Sequence, residues 1–175
     1  SYVPHYDKTF WLENGKEISV PEGFYSSAFI VDKAIQQLDN NQKNHEGKRK
    51  PFFSYVSFQA VHIPLQAPEE FTEKYIGSYR EGWHALRKNR QNAVKDLGLI
   101  PASVPMKRMA TTDDWDNLSE EKKRYNDKRM AVYAGMVDTM DYHIGRLIQY
   151  LKESGQYDNT VIIFTSDNGP AASDV

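Results

Sequence analysis

The stretch TVIIFTSDNGP, Thr160 to Pro170, changes character halfway along. Val161 to Thr165 is apolar or β-branched throughout, the composition of a strand covered on both faces. Ser166, Asp167, Asn168 and Gly169 then bring polar oxygens and a permissive backbone position to its carboxyl end. Asp-Asn-Gly is an ordinary turn sequence. It is also a carboxylate beside an amide carbonyl, two hard oxygen donors of the kind that Ca²⁺ or Mg²⁺ takes. The choice between these readings depends on what else reaches the same end of the sheet.

Upstream of this strand, Ser119, Glu120 and Glu121 open a helix with an apolar stripe of Met130, Tyr133, Met136, Val137, Met140, Ile144, Leu147, Ile148 and Leu151. The stripe keeps the helical period for about six turns and is core, not a cofactor site. The early run EEKKRYNDKR reads as a solvated face, and Gly155 as the residue that ends the helix. From Gly77 to Asn117 the chain is polar and weakly patterned, an excursion with a short surface helix in WHALRKNRQNAVKDLGL that ends near Gly98. Before it, PFFSYVSFQ (51–59) has the make-up of a second covered strand, and Pro64 and Pro68 stop its pairing. Pro68, Glu69 and Glu70 suit a first helical turn.

Further upstream, Ser26 or Ser27 caps a helix carrying Phe29, Ile30, Ala34, Ile35 and Leu38. The polar link DNNQKNHEGKRK follows it. The opening SYVPHYDKTFWLENGK shows no clear period.

Strand, crossover helix and strand predict an α/β fold with a mostly parallel sheet flanked by helices. Parallel strands present their carboxyl ends on one edge, where ligands bind. His62 follows one strand and Asp167-Asn168 the other, so both are expected at one crevice. On that placement the tripeptide is read as a ligand-bearing strand end. His62 is either a structural hydrogen-bonder or a group that binds an anionic oxygen or protonates a leaving group. His5, His45, His84 and His143 fall in loops or on polar helix faces, and Asp141 is read as structural.

The bulk properties narrow the classes. A chain of 175 residues is one domain, 1–175, with the excursion 77–117 between core elements. A net charge of -2 gives no electrostatic footprint for nucleic acid or an anionic membrane. No apolar run is long enough to span a bilayer, and the first thirty residues hold no h-region of a secretory signal. With no cysteine there is no disulfide, thiolate ligand or cysteine nucleophile, and no compartment is identified. The chain starts at Ser1 and stops just after the polar tripeptide, so it is expected to be a piece of a longer protein.

Two stretches carry a resemblance. PFFSYVSFQAVHIPLQAPEEFTEKY and YAGMVDTMDYHIGRLIQYLKESGQYDNTVIIFTSDNGP together resemble the type I sulfatases, especially the bacterial arylsulfatases. The shared pattern is a covered strand into His-x-Pro, a Met-Asp-x-x-Ile-Gly helix, and a strand into Ser-Asp-Asn-Gly. GFYSSAFIVDKAI occupies the place of that family's preceding helix.

The resemblance implies an alkaline-phosphatase-like fold and hydrolysis of sulfate esters by a formylglycine nucleophile with a divalent cation, usually Ca²⁺. On matching positions it makes Asp167 and Asn168 two ligands of the cation, and His62 a catalytic, sulfate-binding or leaving-group-side residue. The family's Cys/Ser-x-Pro-x-Arg motif, which supplies formylglycine, does not occur in these residues, nor do its paired amino-terminal aspartates or sulfate-gripping basic residues. The chain is therefore expected to carry about half an active site and to hydrolyse nothing alone, and its uncovered strand edges are expected to self-associate. Two alternatives stay open: a phosphonate monoester hydrolase or phosphodiesterase of the same superfamily, and a non-catalytic, decayed binding domain.

Overall fold

The computed structural model describes residues 10–43, 50–106 and 114–169. Its regular elements are β1 (Trp11–Glu13), β2 (Lys16–Ile18), α1 (Ser26–Lys43), α2 (Glu69–Thr72), α3 (Gly82–Asp96) and α4 (Glu120–Glu153). Short 3-10 turns lie at Glu73–Tyr75, Trp115–Asn117 and Tyr157–Asn159. There are two compact units, one within Ser1–Gln66 and Met136–Asn168, the other within Ala67–Gly135 and Gly169–Val175.

The first unit opens on a hairpin. β1 and β2 pair antiparallel with Trp11 opposite Ile18, Leu12 opposite Glu17 and Glu13 opposite Lys16. Asn14 (φ 52°) and Gly15 (φ 77°) make the two-residue turn, both in the left-handed region that such a tight connection needs. Trp11 meets Phe24 and Phe29 edge-on, with ring centroids 5.0 and 5.4 Å apart. Lys33 Nζ donates to Glu13 Oε1 at 2.9 Å, so the hairpin sits on α1. The Tyr25 carbonyl accepts the Phe29 N–H, which puts Ser26 and Ser27 inside the first turn instead of at the cap. Ser27, Val31 and Leu38 are buried on one face of α1.

In the second unit, the early part of α4 packs against α2 through Gly135, where an added Cβ would lie 3.1 Å from the Thr72 backbone. Ser119 caps α4, its carbonyl accepting the Lys123 N–H and its Oγ the Lys122 N–H. The Asp127 carboxylate accepts the Tyr79 N–H at 2.9 Å and lies 3.7 Å from Arg80 Nε. Gly82 (φ +83°) starts α3 directly beneath the Trp115 indole. At its other end the Gly98 and Leu99 N–H groups bond back to Lys95 and Val94. That is the glycine-terminated helix end expected near Gly98. Gly155 ends α4 the same way, with the Gln156 N–H on the Leu151 carbonyl.

Two further expectations need correction. The buried line of α4 is Asp127, Ala131, Gly135, Thr139 and His143, each four residues from the next, with Met136 and Leu151 beside it. Val137, expected in the stripe, is exposed. Small residues win this face because they allow close approach, and Asp127 is admitted because the backbone of Tyr79 satisfies it. The charged run around Asp127 is thus not solvated throughout.

The second correction concerns the sheet. Among the described residues β1–β2 is the only one, and 51–59 and 160–165 carry no ladder pairing. The parallel arrangement expected of them is not formed among the described residues. A strand exists only where neighbours take up its backbone groups, whatever the β-preference of its side chains. Here the side chains suited to burial are uncovered, with Phe53 92% and Val161 87% exposed. No helix among the described residues is long and apolar enough to cross a membrane.

Candidate functional site

His62 follows the apolar run 51–59 and sits in a turn closed by its own N–H on the Gln59 carbonyl at 2.9 Å. The next proline, Pro64, is preceded by a cis peptide bond. The His62 ring is exposed, and Nδ1 lies 2.9 Å from the Ile63 carbonyl oxygen. A carbonyl only accepts, so Nδ1 carries a proton, and Nε2 is the lone-pair nitrogen of the neutral ring.

Asp167 and Asn168 are exposed at the end of the second apolar run. They are bonded to each other twice: the Asn168 N–H donates to Asp167 Oδ1 at 2.9 Å, and Asn168 Nδ2 donates to Asp167 Oδ2 at 3.1 Å. The Ser166 hydroxyl donates to the Asn168 carbonyl. The amide nitrogen is thereby turned toward the carboxylate, which leaves the amide oxygen Oδ1 as the acceptor end of Asn168. Gly169 lies in open space and outside the left-handed region, so no sharp bend depends on it.

The two oxygen-bearing side chains fit a hard cation in kind and fall short in number. No group of three or more His, Cys, Asp or Glu side chains able to hold a metal occurs among the described residues. His62, Asp167 and Asn168 all belong to the first unit.

Other polar residues have been placed differently from their sequence reading. Asp141 is exposed on α4. His143 is buried, not on a polar face, and Arg146 Nη1 lies 3.0 Å from its Nδ1. A guanidinium only donates, so this Nδ1 is a lone pair and the ring is neutral. Burial first, and the Arg146 charge second, push His143 below the ordinary histidine range, while Asp32 pulls it the other way. Arg146 Nη2 also donates to Asp32 Oδ1 at 2.7 Å, joining α4 to α1. The signal for His143 was its place four residues after Thr139 on a line of small and polar side chains.

Comparison with known proteins addresses the whole of this region. The family model described as Sulfatase matches residues 1–174. An uncharacterized sulfatase of Schizosaccharomyces pombe is 48% identical over 87% of this chain and 27% of its own length. An arylsulfatase of Klebsiella aerogenes is 34% identical, covering 92% of this chain and 34% of that protein. An N-acetylglucosamine-6-O-sulfatase of Bacteroides thetaiotaomicron is 30% identical, over 94% and 36% respectively. The chain thus spans about a third of the length of these relatives.

Proposed function

The chain belongs to the sulfatase family, and from that premise we propose that it forms part of the catalytic domain of a sulfuric ester hydrolase. The family implies an alkaline-phosphatase-like α/β fold. On this reading residues 1–175 are one part of that domain, with 77–117 an excursion between core elements. Asp167 and Asn168 supply two oxygen ligands to a divalent cation, Ca²⁺ or Mg²⁺, and His62 faces the sulfate or the leaving group. The observation that carries the reading is the exposed Asp167–Asn168 pair, hydrogen-bonded side by side, within a match that runs over 1–174.

When bound, the cation neutralises the sulfate oxygens and lowers the pKa of the nucleophile. The chain's own residues have three tasks. Asp167 contributes negative charge to the cation site. Asn168, fixed by its Nδ2–H on the Asp167 carboxylate, offers its side-chain Oδ1 as the second ligand atom. His62 is held by its Nδ1–H on the Ile63 carbonyl, and in its imidazolium form it donates from Nε2 to an anionic oxygen. The formylglycine nucleophile of the family has no counterpart motif in these residues, and two ligands of low total charge hold Ca²⁺ weakly. The 175 residues alone are therefore inactive.

The test compares this chain with a longer protein that contains it. Hydrolysis of 4-nitrophenyl sulfate is expected from the longer protein and not from the isolated chain. In the longer protein Asp167→Ala is expected to lower kcat/KM by about a hundredfold or more, and His62→Ala to lower kcat by a similar order. Turnover by the isolated chain, or full activity in Asp167→Ala, would overturn the reading. Faster hydrolysis of the matching phosphonate monoester would move the assignment to that substrate class. No activity on either ester would favour a binding domain.

A further inference from the structure

The excursion holds a groove in the second unit that the proposed reaction leaves unused. Its volume is about 560 Å³, within the size range of small-molecule sites. One wall is a single face of α3, where Arg87, Arg90, Gln91 and Val94 follow at intervals of three, one and three residues. The other wall is the segment 104–106, with the apolar side chains of Val104 and Met106. Gln91 Nε2 donates to the Val104 carbonyl at 3.1 Å and fixes the spacing of the two walls.

The charge that the described residues bring to the groove is one-sided. None of the described residues that line it is a carboxylate. Neither Arg87 nor Arg90 has a hydrogen-bond or ion-pair partner among the described residues. α3 as a whole carries Arg87, Lys88, Arg90 and Lys95 against one acidic residue, Asp96. Two guanidinium groups one helical turn apart match the oxygens of a carboxylate, sulfo or phosphate group. The valine, proline and methionine surface beside them suits a flat hydrocarbon body.

We propose that the groove between α3 and residues 104–106 binds a small organic anion, with an acidic head on Arg87 and Arg90 and an aromatic or aliphatic body against Val94, Val104 and Met106. A free inorganic anion lacks the part that the apolar wall recognises, and a neutral hydrocarbon lacks the part that the arginines hold. The proposal does not rest on the reading of Asp167 and Asn168, and it stands or falls by binding alone.

Titration of the chain carrying Phe53→Lys and Ile163→Lys, two exposed positions of the first unit whose charges oppose self-association, with naphthalene-2-sulfonate, followed by ¹H–¹⁵N NMR, tests it. The largest shifts are expected at residues 87–94 and 104–106. Inorganic sulfate and 2-naphthalenemethanol are each expected to bind at least about tenfold more weakly than the sulfonate. Arg87→Gln with Arg90→Gln should weaken sulfonate binding by about tenfold or more. Arg90→Gln alone, at an exposed position that cannot unfold the helix, should weaken it several-fold. Unchanged binding in both variants overturns the proposal. So do sulfate binding as tight as the sulfonate, shifts confined to residues outside the groove, and an acidic hexapeptide that binds more tightly than the aryl anion.

Discussion

His143 shows how one side chain can be placed by its neighbour's chemistry. Arg146 offers only donors, so the buried imidazole must stay neutral to receive its hydrogen bond. The consequence for stability has a definite sign. The unfolded chain takes up the histidine proton near the ordinary value of about 6.5, while the folded chain resists it to lower pH. Between those points the unfolded state binds more protons, so stability falls as pH falls and is fully present above about 6.5. Urea midpoints measured at about pH 7.5 and about pH 5 should drop more for the wild type than for His143→Gln. Equal drops would mean that the ring is not held neutral.

His143 was not read as a buried group, because Asp141, Tyr142 and Gly145 make its surroundings look polar, and its four-residue spacing from Gly135 and Thr139 was the signal passed over. Asp127 was missed for a similar reason: its partner is the Tyr79 backbone, 48 residues away, and no local pattern announces it.

At the scale of elements, glycines decide which helices can touch. An added Cβ at Gly82 would stand 2.3 Å from Trp115 Cδ2, and Gly82 is also in the left-handed region. Gly82→Ala combines overpacking with backbone strain, each about 1–3 kcal/mol. The expected outcome is a chain destabilised by at least about 2 kcal/mol, read from the urea midpoint and from the altered near-ultraviolet signal of the Trp83–Trp115 pair. An unchanged midpoint would show that Trp115 has room to move.

Helix ends were the best-read features: Ser119, Gly98 and Gly155 cap as their local chemistry demands. The β1–β2 hairpin was not read, although Asn14-Gly15 is the turn signal itself, because the aromatic opening around it shows no period. Pairing of 51–59 and 160–165 was not readable, because their apolar composition specifies covering and not the strands that would do it. The site shares that limit. Asp167, Asn168 and His62 were legible as residue types at the ends of apolar runs, whereas the expectation that they share one rim rested on a parallel pairing that the described residues do not form.

For the molecule as a whole, the uncovered runs have a cost in solution. Phe53, Tyr55, Val161, Ile163 and Phe164 are all strongly exposed, and a net charge of -2 supplies little repulsion between copies. The 20.2 kDa chain is expected to sediment as larger species at concentrations of about tens of micromolar. Phe53→Lys combined with Ile163→Lys should shift it toward the monomer, since charges on unpaired β-forming segments oppose edge association. A wild-type chain that sediments as a monomer would refute this.

The hairpin tip offers something practical. Asn14 and Gly15 are exposed in the first unit, and none of the described residues apart from its chain neighbours lies within 4 Å of where a Gly15 side chain would begin. Exposed tips of this kind accept appended chemistry with little disturbance of packing. A dye or affinity handle inserted between β1 and β2 would therefore ride on the Trp11 cluster as a passive reporter.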